Sequence, residues 1–257
     1  MDKQVPYLPE EAIECDAEAL LAEYEHARNV TITPPVPIED IVEKHLKLRV
    51  EFDDTHTIFD WPRPPGQGVD ILGAIFFDEA RIVIDESLDP EENPAMEGRY
   101  RFTLAHEGGG HWRLHRPLFA TNPDQTALFD QPAVPSFICR SSQAKERVEW
   151  QADFYASCTL MPRKLVLAEW NEMFPDQKRR VLQPITPIDH PFVEIARFDR
   201  RNPGVEITES DDAALDRFAR PIAERFLVSP IAMRIRLEKL GLLHRAVPLQ
   251  SFLASRS

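Results

Sequence analysis

Three consecutive glycines, Gly108 to Gly110, stand between His106-Glu107 and His111, inside the stretch that runs from Arg101 to His115. No other feature limits the fold so tightly. The flanks read as a helix, yet glycine weakens a helix interior by roughly 1 kcal/mol per residue relative to alanine. Three of the eight histidines, His106, His111 and His115, fall within ten residues of this stretch, with an acid beside the first. Neutral imidazoles bind divalent metals, and a carboxylate next to a ligand can take a proton from metal-activated water. The helical signature for such a site is H-E-x-x-H, which puts two histidines on one face at i and i+4. Here they are five residues apart. In a regular α-helix that is about 140° around the axis, and one metal could not be shared.

A third, acidic ligand from a later helix would complete such a site. Residues 145 to 159 supply the helix, with Val148, Ala152, Tyr155, Ala156 and Thr159 on one face. Glu149 and Asp153 are four apart and share a face, so Glu149 can ligate while Asp153 supports a ligand histidine from behind. Three arrangements are then open. A one-residue π-type bulge can bring His106 and His111 together, the glycines tolerating the unusual backbone. Alternatively His111 and His115, a true i, i+4 pair, ligate with Glu149 and His106 drops out. Otherwise the extra glycine has disabled the metal site. Cys139 lies in the intervening loop, where a thiolate can close the open metal position and hold the site latent; a plain buried thiol is the simpler reading. His26, His45, His56, His190 and His244 have no partners at metal spacing and read as structural or surface residues.

The rest of the chain suggests an α+β fold. Ile13, Ala17, Leu20, Leu21 and Tyr24 give a helix over 11–28. A second helix follows Pro37, where a proline's missing N–H costs least. Leu48–Phe52 alternates as a half-buried strand does. Residues 71–77 and 81–85 read as a hairpin, so the expected sheet is small and antiparallel. Residues 116–145 read as a long loop and 175–204 as an irregular, proline-rich connection. Beyond it, helices over 214–226 and 230–240 are joined by a brief turn with Ser229 at an N-cap position and Gly241 past the end. That is helix-turn-helix grammar. The expected organisation is a unit over 1–174, a linker over 175–204 and a C-terminal unit over 205–257.

At 257 residues the chain can bury a sizeable core. A formal charge of −13 argues against general nucleic-acid or anionic-membrane binding. The local cluster Arg217, Arg220, Arg225, Arg234, Arg236 and Lys239 keeps contact with phosphates or an acidic partner open for residues 205–257. Three widely spaced cysteines imply no disulfide framework. With no apolar run behind a basic start and no membrane-length apolar stretch, a cytoplasmic setting is expected.

The run Arg101-Phe-Thr-Leu-Ala-His-Glu through Gly110-His-Trp-Arg-Leu-His115, then Glu149-x-x-Ala-Asp-x-x-Ala and Leu160-Met-Pro162, resembles the ImmA/IrrE family of metallo-endopeptidases. The hairpin before the motif and the tail Phe226–Leu243 share the likeness, which covers roughly residues 11 to 243. The resemblance implies a zincin-like core of helices on a small antiparallel sheet, followed by a helix-turn-helix-like unit. It implies Zn²⁺ held by His106, His111 and Glu149, with Glu107 as general base and His115 supporting the site or the substrate. It further implies cytoplasmic cleavage of a protein substrate, a DNA-binding transcriptional repressor, that switches on mobile-element or stress genes. The extra glycine is the departure from the family's motif. It leaves a second expectation beside the first: a catalytically impaired relative acting as a regulatory module that binds protein or DNA.

Overall fold

The structure is a computed structural model and describes residues 5–62, 71–119, 135–140, 147–182 and 211–245. The chain opens with α1, Glu10–Arg28, whose Ile13, Ala17, Leu20, Leu21 and Tyr24 form its buried face. Asn29 ends it in the left-handed conformation, φ 52°, giving its N–H to the last carbonyls. A short helical turn, α2 (Ile38–Asp40), runs straight into a π-helical turn over Ile41–His45. Then come β1 (Arg49–Asp53), α3 (Thr55–Ile58), β2 (Ile71–Phe76) and β3 (Arg81–Asp85). The Asp54 carboxylate caps α3 by accepting from the backbone N–H groups of His56 and Thr57.

Helix α4, Glu97–Ala105, continues without a break as a π-helix over His106–His115 and regains α geometry in α5, Arg116–Phe119. Strand β4 is Phe137–Arg140, and α6 and α7 are Arg147–Leu160 and Arg163–Met173. After β5 (Arg180–Leu182) the described chain resumes with α8 (Asp211–Phe226), α9 (Pro230–Lys239) and β6 (Leu243–Arg245). Ser229 caps α9 by accepting from Ala232 N at 3.1 Å, and Gly241 takes φ 67° beyond its end.

The fold is α+β, but the sheet is mixed rather than antiparallel. Its order is β1-β3-β2-β4: the expected β2–β3 hairpin is there, while β1 runs parallel to β3. The reason is the path of the chain. Between β1 and β3 it crosses α3 and the whole of β2, so β1 meets the far edge of the hairpin in the same direction as β3. The stretch expected as loop over 116–145 contains β4, paired antiparallel with β2. The irregular 175–204 stretch contains β5, which pairs in parallel with β6. The first stretch also opens with α5, and residues 135–136 and 175–179 are described as well; the rest of both lies outside the described residues.

Inward residues of the sheet (Ile75, Ile82, Ile84) share one apolar cluster with Leu104 and Ala105 of α4, Ala156 and Leu160 of α6 and Trp170 of α7. Phe226 of α8 and Met233 and Leu237 of α9 belong to the same cluster. Burying each such large side chain contributes about 1.5–3 kcal/mol, so α8 and α9 are held by the core that carries the sheet. A second cluster joins α1 to Tyr155 and Cys158 on the other side of α6. Helix α6 is thus packed from two sides, and it faces the π-helix.

A candidate metal centre between the π-helix and α6

The π-helix resolves the five-residue spacing. Its hydrogen bonds run from residue i to i+5, as Arg116 N to His111 O shows at the end, so residues five apart stack on one side. His106 Nε2 and His111 Nε2 lie 3.0 Å apart. Ten residues take this geometry, where a single-residue bulge was one of the three arrangements left open.

The glycines serve a different purpose from backbone tolerance. Among the described glycines only Gly241 has positive φ. The other need is space. A Cβ on Gly108 would sit 2.7 Å from a Val42 methyl, one on Gly109 2.8 Å from the Tyr155 ring, and one on Gly110 2.5 Å from Ala152 Cα. Three bare positions let the π-helix lie directly on Ala152 and Tyr155 of α6, with Val42 of the π-helical turn Ile41–His45 against Gly108.

From α6, the Glu149 carboxylate reaches His106 Nε2 at 3.2 Å and His111 Nε2 at 3.5 Å. His106, His111 and Glu149 thereby place three donor atoms within 4.8 Å of one another. Asp153, one turn on, meets His106 Nδ1 at 3.0 Å. The carboxylate can only accept, so Nδ1 donates and Nε2 is left for a cation. Burial disfavours charge on His106, but Cys139, Glu149 and Glu107 outweigh it and lift its pKa well above the ordinary value. Surroundings that favour a proton there also favour a metal ion.

His111 is oriented by a chain of contacts that runs away from the site. Gln151 Nε2 donates to Pro6 O at 2.8 Å, which turns its Oε1 toward His115 Nε2 at 3.0 Å. His115 Nε2 must therefore carry a hydrogen. Burial holds the His115 pKa below its ordinary value, so the ring is neutral and its Nδ1 offers a lone pair. His111 Nδ1, 3.0 Å away, donates to it, and the His111 Nε2 lone pair points back at His106. Burial, with His106 and His115 beside it, keeps His111 well below its ordinary pKa, the neutral form that metals bind. Phe137 of β4 stacks on the His111 ring, centroids 4.2 Å apart and planes 10° apart.

Glu107 completes the centre. It packs against Gly73 of β2, where a Cβ would stand 3.6 Å from Glu107 Oε1. It is fully buried, and neither carboxylate oxygen has a hydrogen-bond partner. Burial pushes its pKa up to about 8, with His106 pulling down and Glu149 adding to the rise. An orphaned buried carboxylate costs several kcal/mol unless something charged arrives beside it. That orphan, beside two imidazole nitrogens and a second carboxylate, fits a divalent cation. The donor set is the nitrogen and oxygen set that zinc accepts.

The structure thus brings His106, Glu107, His111, His115, Glu149, Asp153 and Cys139 to one place. Cys139 Sγ lies within 4.8 Å of donor atoms of both His106 and Glu107. Sequence reasoning missed Gln151, whose only signal is a polar side chain on the buried side of an amphipathic helix. The basic residues of α8 and α9 divide: Arg234 and Arg236 are buried, while Arg217, Arg220, Arg225 and Lys239 are exposed. Arg236 is 2% exposed and bonds Met161 O at 3.0 Å and Glu14. Arg225 pairs with Glu169 and Glu172, Arg234 with Asp216 and Glu238, and Lys239 with Glu10. Among the described residues no helix is long and apolar enough to cross a membrane. No protein-family model matches the chain, and no curated protein matches it either.

Proposed function

We propose that this protein is a zinc-dependent endopeptidase. The observation that carries the reading is the convergence of His106 Nε2, His111 Nε2 and the Glu149 carboxylate beside the buried, unpartnered carboxylate of Glu107. His106, His111 and Glu149 would hold the ion, which when bound supplies a Lewis acid that polarises a peptide carbonyl and acidifies water. Held by these three residues, the ion would still be able to take up water, as hydrolytic zinc sites do. Glu107 takes the proton of the attacking water and returns it to the departing amide nitrogen. Its raised pKa falls as a cation approaches, toward the neutral range in which a base works best. Asp153 holds His106, and the His115–Gln151 pair holds His111, each with its Nε2 presented. Phe137 covers the His111 ring and keeps water from its face.

The substrate is proposed to be a protein. Strand β4 ends the sheet among the described residues, and its outer edge offers backbone groups to an extended peptide. Likeness of the paired motifs to the ImmA/IrrE family extends the proposal to a cytoplasmic transcriptional repressor as the cleaved protein. The test is elemental analysis of the purified protein with proteolysis of an unstructured protein substrate. The expected result is one zinc per chain, lost in His106→Ala and in His111→Ala. Glu107→Gln should keep the metal and lose cleavage by at least about 10²-fold, the lower range for a positioned general base. Equal cleavage by wild type and Glu107→Gln would sink the proposal. Zinc that survives His106→Ala and is lost with His115→Ala would shift the ligand set.

A further inference from the structure

The centre holds a second set of metal donors that the hydrolytic reading leaves unused. His106, Glu107 and Cys139 place one donor atom each within 4.8 Å of one another. This set shares His106 alone with the set of His106, His111 and Glu149. Cys139 follows Phe137 by two residues on β4, so both point to the same face of the strand, and Phe137 already lies on His111. The pairing of β4 with β2 puts Cys139 opposite Gly73, the bare position against which Glu107 packs. Cys139 is 9% exposed, and both Glu107 oxygens beside it are buried without partners. An imidazole, a thiolate and a carboxylate form a donor set that zinc and other thiophilic ions accept readily. His106 has one nitrogen to give, because Asp153 occupies Nδ1. An ion held through His106 Nε2 therefore sits in one set or the other.

We propose that His106, Glu107 and Cys139 form a second resting position for the metal ion, in which the base is itself a ligand and the peptidase is idle. The inference rests on the zinc-peptidase reading and adds regulation to it. Entry of the ion into this position releases the Cys139 thiol proton to solvent, so a sulfur–metal bond replaces a sulfur–hydrogen bond with no change of oxidation state. Agents that take up the thiolate, alkylating or oxidising, would return the ion to His106, His111 and Glu149.

The test is a titration of the full-length, metal-free protein with Co²⁺, read by visible and near-ultraviolet absorption. A thiolate-to-Co²⁺ charge-transfer band is expected in the wild type, lost in Cys139→Ser and kept in Cys15→Ser. Cleavage by the zinc form of Cys139→Ser should rise by at least about twofold, the gain when half of the molecules leave the idle position. X-ray absorption of the wild-type zinc protein needs no variant and should show a sulfur neighbour at about 2.3 Å. Co²⁺ bound with nitrogen and oxygen alone, or a thiolate band with unchanged turnover in Cys139→Ser, overturns the second position and leaves the peptidase reading standing. Absence of any Co²⁺ spectrum overturns both.

Discussion

Replacing Gly110 with alanine tests why the glycines are there. The new Cβ would stand 2.5 Å from Ala152 Cα, 2.6 Å from its Cβ and 3.1 Å from its carbonyl oxygen. Overpacking costs about 1–3 kcal/mol, and the upper end applies because backbone, not a side chain, is in the way. Alanine returns about 1 kcal/mol of helix propensity. The net loss is about 2 kcal/mol, or about 4–8 °C in Tm for a chain of this size. The π-helix must move off α6, which parts His111 from Glu149, so Co²⁺ affinity should fall at least about tenfold. Gly108→Ala should do less, because it meets the side chain of Val42. Ala152→Gly should not rescue Gly110→Ala, since the main chain at position 152 would still block the new methyl. The assays are thermal unfolding of the metal-free protein and Co²⁺ titration. A Gly110→Ala variant that melts within about 1 °C of the wild type, with unchanged Co²⁺ affinity, would refute the close-approach argument.

Further outcomes follow from the same contacts. Gln151→Leu removes the acceptor that fixes His115 and, through it, His111; Co²⁺ affinity should fall about 10–100-fold, while Gln151→Glu, which still accepts, should lose less. Asp153→Ala should have a comparable effect through His106, and with Gln151→Leu the two losses should multiply, because the two chains support different ligands. Burial raises the Glu14 carboxyl, but Arg163 and Arg236 outweigh it and hold it below the usual carboxylate value. A depressed folded-state pKa contributes stability that is full above the unfolded value and lost as pH falls through the folded one. The wild type should therefore lose stability below about pH 4.5 more steeply than Glu14→Gln. At pH 7 that variant should be less stable by about 2 kcal/mol, under the range for a sealed pair because Arg163 is half exposed. Equal urea midpoints at pH 7 would remove Glu14 from the account of stability.

Regular periodicity made α1, the β2–β3 hairpin and α6 legible, because apolar spacing records a face that must be buried. Ser229 and Gly241 marked the ends around α9 because their chemistry is local. Strand β4 was hidden. Its four residues lie in a proline- and serine-rich stretch, and it is a strand through pairing with β2, a contact from far along the chain. The parallel approach of β1 was equally invisible, since direction depends on the path taken between strands. At the site, His106, Glu107, His111, Glu149 and Asp153 stood out by residue type and spacing. The five-residue gap left a bulge, a shifted pair or a lost site open; that Val42, Tyr155 and Ala152 come close against the glycines of a ten-residue π-helix is a matter of tertiary packing. Arg236 misled for a related reason: a sequence shows the sign of a charge and hides the acid 222 residues away that it meets.

That arginine ties the helix carrying Glu149 and Asp153 to α9. Helix α6 carries Glu149 and Asp153 near its start, and its last turn runs into Met161, whose carbonyl Arg236 of α9 holds. Lifting α9 would strand a buried guanidinium and leave Glu14 without one of its two partners, a penalty of several kcal/mol. Helices α8 and α9 therefore share the scaffold on which the candidate centre is built. A truncation before α8 should raise hydrogen exchange along α6, and any partner that needs α9 free must outcompete the centre for its own scaffold.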